Sequence, residues 1–450
     1  MTDTTDVTAQ LRRELRHRIR PMRGRDPNER DRTTTPLELL YDLTYVVAFA
    51  VASDQLAEQL GHGTIWPAIG AYLFAIWAVG WAWLNATWFA SAYENDDVFQ
   101  RLATITQMIG VIVLAYGLPV SFESAAHGGS PNNLLMVIGY VVMRIPLIAL
   151  WLRAARHDPE HRRSAVASVV VTSVAQVCWL LSAALPLPTG VAVGAVVVLV
   201  AAEMTAPGLI ARRYGRTRCN AGHLAERFSL LTLITIGEVI AGTTAAVGAL
   251  TRETGWTVEA VLIAASGLLI AAAVWWTYFL VPSRLVLERQ PERIFVWRYV
   301  HLALFGSIAA IGAGLHLTTI AVEKGEVSLL GIALALGVPL ATTIVLIFLL
   351  WSVLLRSFDA THLPLLLAPL AAAVAVGALA FPGQALDLER PGSTTALSAI
   401  IGLVALGAVI EVVGHERVGF RHTLAAWRRD PGLSNDDLGD GNAGAAPAGR

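Results

Sequence analysis

A chain of 450 residues that is 55% hydrophobic and only 15% charged, with a mean hydropathy of +0.57, lies outside the range of soluble domains, which carry about 25% charged residues. A net charge of −1 offers no basic surplus for nucleic acid, which is not expected as a partner. Cys178 in an apolar run and Cys219 in a basic loop are too few and too differently placed for a disulfide framework or a metal site, so neither metal nor cofactor is expected.

The first 34 residues are polar and arginine-rich. They read as a disordered cytoplasmic arm and not as a cleavable signal, because no small-residue cleavage pattern follows the first apolar run. From there the chain is a succession of apolar stretches near the length, about 20 residues, that a helix needs to cross a hydrocarbon core. Twelve are predicted, with limits near 37–60, 66–90, 101–120, 133–153, 164–185, 189–211, 225–250, 256–281, 297–320, 327–355, 362–382 and 394–416. They are too continuously apolar for barrel strands, so the fold class is all-α: a polytopic helical membrane protein. Basic residues fall almost entirely in alternate connections, leaving Arg252, Lys324 and Arg390 for the opposite side and Arg144 within the fourth segment. By the positive-inside rule both termini are cytoplasmic, and the expected location is the cytoplasmic (inner) membrane of a bacterium.

The order of features repeats. "ELLYDLTYVVAFA" from residue 38 matches "ERFSLLTLITIGE" from 226, and "RLATITQMIGVIVLAYGL" from 101 matches "RYVHLALFGSIAAIGAGL" from 298, setting Arg101 on Arg298. Two parallel six-helix repeats are therefore expected, 35–213 and 225–417, joined by a basic linker at 214–224 and followed by a disordered cytoplasmic tail at 418–450.

Several of these stretches carry a family likeness. "PLELLYDLTYVVAFA", "ATWFASAYENDD", "YVVMRIPLIALWLRA", "HLAERFSLLTLITIGEVIAGT", "WWTYF" and "YVHLALFGSIAAIGAGL" resemble the bacterial low-temperature-requirement A family of multipass membrane proteins, over about residues 34 to 385. The resemblance implies a multipass membrane protein and marks Glu38, Asp42, Arg144, Glu226, Arg227, Gly237 and Glu238 as motif positions. It assigns none of them a role. Leu40 and Tyr41 depart from the aromatic pair the family leads one to expect, as does Val239 from a small polar residue.

Charges at membrane depth cost roughly 2.5–3.5 kcal/mol on insertion scales, so they mark either function or structural pairing. Arg144 lies about eleven residues, roughly 16 Å, into its segment, just before Pro146, and Glu238 lies at a similar depth in the seventh, which makes them an expected pair. Asp42 is the alternative acid for Arg144. Glu38 reads first as the N3 acid of a cap in "TTTPLE", whereas Asp42, about 9 Å further along, is past the reach of the helix dipole and points into the bundle. Glu226 and Arg227 divide between cap and interface at the parallel start of segment 7. Glu203 and Glu411 lie near helix ends and are expected to snorkel, His301 and His316 to be structural, and Trp88 to be an interfacial anchor. No phosphate loop, nucleophile elbow or zinc-protease helix occurs, which weighs against an enzyme. Two readings stay open: a secondary transporter or channel for a small, anionic or proton-coupled solute passing between the repeats, or a non-transporting protein, lipid-related enzyme or scaffold, whose buried charges are staples.

Overall fold

The computed structural model describes residues 19–22, 24–26, 29, 32–217, 219–358, 363–430 and 433. They form α1 Pro36–Gly61, α2 Ile65–Tyr93, α3 Val98–Ala126, α4 Leu134–His157, α5 Arg162–Ala184, α6 Thr189–Tyr214, α7 Ala221–Thr254, α8 Val258–Phe279, the short α9 Ser283–Arg289, α10 Ile294–Lys324, α11 Leu329–Leu355, α12 Leu363–Leu379, α13 Ser393–Gly414 and α14 Phe420–Arg429. Eleven helices among the described residues are long and apolar enough to cross a membrane. The expected eleventh segment is the exception: α12 has 17 residues, and positions 359–362 before it lie outside the described set.

Local signals start the helices where apolar runs begin. Thr35 accepts from the Glu38 backbone N–H at 3.3 Å and Glu38 accepts from that of Thr35 at 2.9 Å, a reciprocal capping box with Pro36 in the first turn. Asp97, Asn220, Thr257 and Ser328 cap α3, α7, α8 and α11 in the same way through their side-chain oxygens.

The most enclosed element is α10, of which 89% of the apolar span is buried against α7, α11, α1 and α2. At the other extreme α6 has 11% of its span buried and rests on α5. Glycines allow the closest crossings, as packing in lipid favours. A Cβ on Gly139 would sit 2.3 Å from the Leu114 nitrogen and 2.7 Å from the Gly110 oxygen, whereas one on Gly237 meets nothing within 4 Å. Gly139→Val is therefore expected to lower the thermal midpoint in detergent by an overpacking cost of roughly 1–3 kcal/mol or more, with Gly237→Ala tolerated; equal midpoints would contradict the close α3–α4 crossing.

Described residues of the two segments expected to be disordered are held in place. The described part of the arm is docked: Arg25 N–H donates to the Ala92 oxygen at 2.9 Å, and the buried Arg32 donates to the oxygens of Ser91 (2.7 Å) and Ala90 (2.9 Å) and to Glu94 (3.0 Å). The Ser91 and Ala92 carbonyls belong to the last turn of α2, where no helical N–H follows to bond them, and an arginine-rich segment satisfies them. The start of the tail is helical too: α14 is held by Trp351 donating to Thr423 at 2.8 Å and by the Arg289 guanidinium 5.2 Å over the Trp427 ring.

Asp97 clamps the arm, accepting from Arg153, from the Arg20 N–H at 3.1 Å and from the Gln100 N–H at 3.0 Å. Burial opposes its ionisation, but these donors outweigh it and hold the carboxyl below its usual range. A depressed folded pKa means stabilisation that is complete above the unfolded value of about 3.9 and lost as pH falls through the folded one. The described arm residues 19–22 and 24–26 should thus gain amide exchange only below about pH 4 in wild type, and already at neutral pH in Asp97→Asn. Exchange that ignores both changes would dismiss the clamp.

Candidate functional site

The two acids at the start of α1 join one buried network. Asp42 accepts from Arg227 Nε at 3.0 Å and Nη2 at 2.5 Å, and from Trp83 Nε1 at 2.7 Å. Glu38 accepts from Arg227 Nη1 at 2.8 Å and lies 3.1 Å from His223 Nε2. Asn220 caps α7 so that His223 and Arg227, one turn apart, both face α1. The guanidinium thus satisfies both carboxylates by a two-pronged and a single contact, a geometry that arginine supplies and lysine does not. Glu38, Glu94 and His223 come close enough for a metal, but Arg227 and Arg32 already hold the carboxylates. Glu226 lies apart, accepting from the Thr34 N–H at 3.0 Å, where it secures the arm.

Arg144 is buried in the middle of α4, and its partner is not the expected one. Its Nη2 donates to Tyr140 OH at 2.5 Å and meets Glu203 at 3.4 Å. Glu203 also accepts from Tyr140 OH at 2.8 Å, Trp81 Nε1 at 2.9 Å and Trp179 Nε1 at 2.7 Å. Neither Glu238 nor Asp42 pairs with Arg144, and Glu203 does not snorkel: a turn of aromatic donors from α2, α4 and α5 makes a buried seat for a carboxylate. Glu411 is buried as well, where snorkelling was expected. The late acid on α6 was visible in the sequence, but the three aromatic hydrogen-bond donors that seat it carry no periodic signal.

Beside this pair lies a cavity of about 330 Å³. Its walls come from α2, α4, α5, α6 and the first turns of α10; the buried Arg144 and Glu203 line it, and the linker residues Gly215, Arg216, Thr217 and Cys219, the first two exposed, stand at its mouth. Trp88, expected as an interfacial anchor, lines it instead. Past Glu203, away from the mouth, Phe74, Trp77, Tyr140 and Trp179 stack at centroid distances of 5.5–6.3 Å and fill the space. The cavity lies where α6 stands off α2; α13, by contrast, lies directly along α8.

The seam where α1 and α2 meet α10, on which an open path between two repeats was expected, is filled. Phe305 packs on Phe49 at 6.3 Å and Trp83 at 5.6 Å, Tyr72 OH donates to the Gly306 oxygen at 2.6 Å, and Ser53 Oγ donates to the Ala309 oxygen at 3.0 Å. Glu238 lies on this seam, its backbone against Gly312, and pairs with no cation among the described residues. His316 meets Asp54 at 3.5 Å, while His301 is buried, with Nε2 at 3.0 Å from Tyr278 OH.

A described structure built of apolar helices, with charges buried between them in pairs, defines an integral multipass membrane protein set in a lipid bilayer. The sequence profile of "Bacterial low temperature requirement A protein (LtrA)" matches residues 33–417, so the chain belongs to that family. An uncharacterized protein of Rhizobium meliloti (strain 1021) is 26% identical over 297 residues, covering 62% of this chain and 67% of its own. No solved structure matches.

Proposed function

We propose that the protein is a carrier that moves a small solute, anionic or proton-coupled, across the bacterial inner membrane, entering from the cytoplasmic side through the cavity beside Arg144 and Glu203. The observation that supports it is that cavity: its volume falls in the range of ligand pockets, and the Arg144–Glu203 pair stands at the end filled by the Phe74–Trp77–Tyr140–Trp179 stack. Ionisable groups facing a cavity at membrane depth are the usual markers of a solute path. The form described is open toward the linker, and alternating access would require the aromatic stack to part. Arg144 supplies fixed positive charge, and Glu203 is the acid within reach of a bound solute. Glu238, buried without a cation, is the candidate proton carrier on the opposite side of α7. Asp42, Glu38 and Arg227 hold the halves together instead of lining this path.

The test is in two parts. In a background free of Cys178 and Cys219, a cysteine at 216 should react with an impermeant thiol reagent from the cytoplasmic side and one at 127 from outside. Purified protein in liposomes with an internal pH dye should move protons with its solute, and Glu238→Gln should abolish that coupling while leaving the thermal midpoint unchanged. Labelling of residue 216 from outside intact cells, or a broad solute screen in which nothing moves, would remove the carrier.

A further inference from the structure

Arg298 enters the cavity from α10 and is 3% exposed, yet no described carboxylate lies within ion-pair distance of it. Its Nε is buried with no hydrogen-bond partner. What surrounds the guanidinium is aromatic: it lies 4.4 Å from the ring centres of Trp88 and Phe295 and 5.1 Å from that of Tyr299. Ring faces favour a cation but leave the in-plane Nε–H without an acceptor. The position also works against a lone cation, because Arg298 stands near the N-terminal end of α10, where the helix dipole favours negative charge. The sequence match of the third and ninth segments supplies a contrast. Arg101, opposite Arg298 in that match, lies at the surface and is held by Asp96 at 2.8 Å; five residues before Arg298 the chain has Arg293 in place of an acid.

We propose that Arg298 is the binding residue for a monoanion that enters this cavity, a carboxylate on an apolar body. The inference deepens the carrier reading and rests on the same cavity. Glu203 already neutralises Arg144, which leaves one deep cation to be balanced by one negative charge. A planar guanidinium offers paired N–H groups that fit the two oxygens of a carboxylate. Trp81, Trp88, Trp151 and Phe295 in the walls suit a flat or chain-like apolar body. Such a molecule has two sources, the aqueous phase and the surrounding bilayer, and the lightly packed α5–α6 pair leaves the second open.

The full chain, purified in detergent, is titrated with 1-naphthoate by equilibrium dialysis, and in zwitterionic nanodiscs with dodecanoate. Saturable binding of naphthoate alone assigns a soluble source, and of dodecanoate a bilayer source. In either arm Arg298→Gln should weaken binding by roughly tenfold or more, Arg298→Lys should retain part of it, and neutral 1-naphthamide should fail to compete. Because the deleted charge has no carboxylate, the ligand-free thermal midpoint of Arg298→Gln should equal or exceed that of wild type. Absence of binding in both arms, binding by Arg298→Gln equal to wild type, or a midpoint in that variant as low as in Arg227→Leu overturns the proposal. Solute movement is scored separately: binding without movement keeps this site and removes the carrier, and movement indifferent to Arg298 removes only the site.

Discussion

Arg227→Leu should be among the most destabilising single substitutions in the chain, because it leaves Glu38 and Asp42 buried together with His223, Trp83 and the hydroxyl and backbone N–H of Thr35 as donors, and no arginine. Breaking a buried pair by removing one partner costs roughly 3–5 kcal/mol, and here one deletion uncovers two acids. The readout is the thermal midpoint in detergent followed by size-exclusion chromatography. Neutralising the acids in that background should recover stability stepwise, first with Asp42→Asn and further with Glu38→Gln added. Asp42→Asn in wild type should be destabilising, since Arg227 then loses its two-pronged partner. The change of sign with background is what distinguishes a charge network from three independent side chains. A wild-type midpoint in Arg227→Leu, or strictly additive losses in the combinations, would sink the network.

How far the chain could be read from its sequence follows from what is local. The Thr35–Pro36–Glu38 cap and the apolar runs are readable because a cap spans three residues and lipid dictates both length and composition of a span. Asp42 could be assigned to the bundle because the dipole argument fails a turn beyond the cap. The partner of Arg144 could not be found that way. Depth along a helix is countable at 1.5 Å per residue, but the direction a side chain faces depends on how neighbouring helices are rotated, and Glu238, at similar depth, faces the seam with α10 and not α4. Glu203 was misjudged for a different reason. Hydropathy rules place tryptophan at interfaces, whereas Trp81 and Trp179 point their indole N–H groups at a buried carboxylate. The docking of the described arm residues is hidden by composition: a run of arginines reads as solvated until the Ser91 and Ala92 carbonyls at the end of α2 give it a surface. The seam of α1 and α2 with α10, expected to be open, is closed by Phe305 because rings of the three helices meet there, and the space appears instead where α6 stands off α2.

The Arg144–Glu203 pair allows the sharpest separation between a structural staple and a transport element, because the two roles predict opposite behaviour of the double variant. Arg144→Leu leaves Glu203 buried among Trp81, Trp179 and Tyr140; Glu203→Leu leaves Arg144 with Tyr140 alone. Each single change should lower the detergent midpoint by an amount corresponding to roughly 3–5 kcal/mol, while the double Arg144→Leu, Glu203→Leu should return close to wild type, since a buried ion pair is commonly replaceable by apolar side chains of similar volume. Solute movement in liposomes should not follow stability. It should fall to background in both single variants and stay there in the restored double, because an apolar cavity end offers the solute neither fixed charge nor an acid. The aromatic stack beyond the pair makes this separation possible: Trp77 packs 5.5 Å from Trp179, so the sealed end of the cavity stays filled when both charges are gone. A double variant that regains both stability and movement would make the pair a staple and place the solute path elsewhere in the protein.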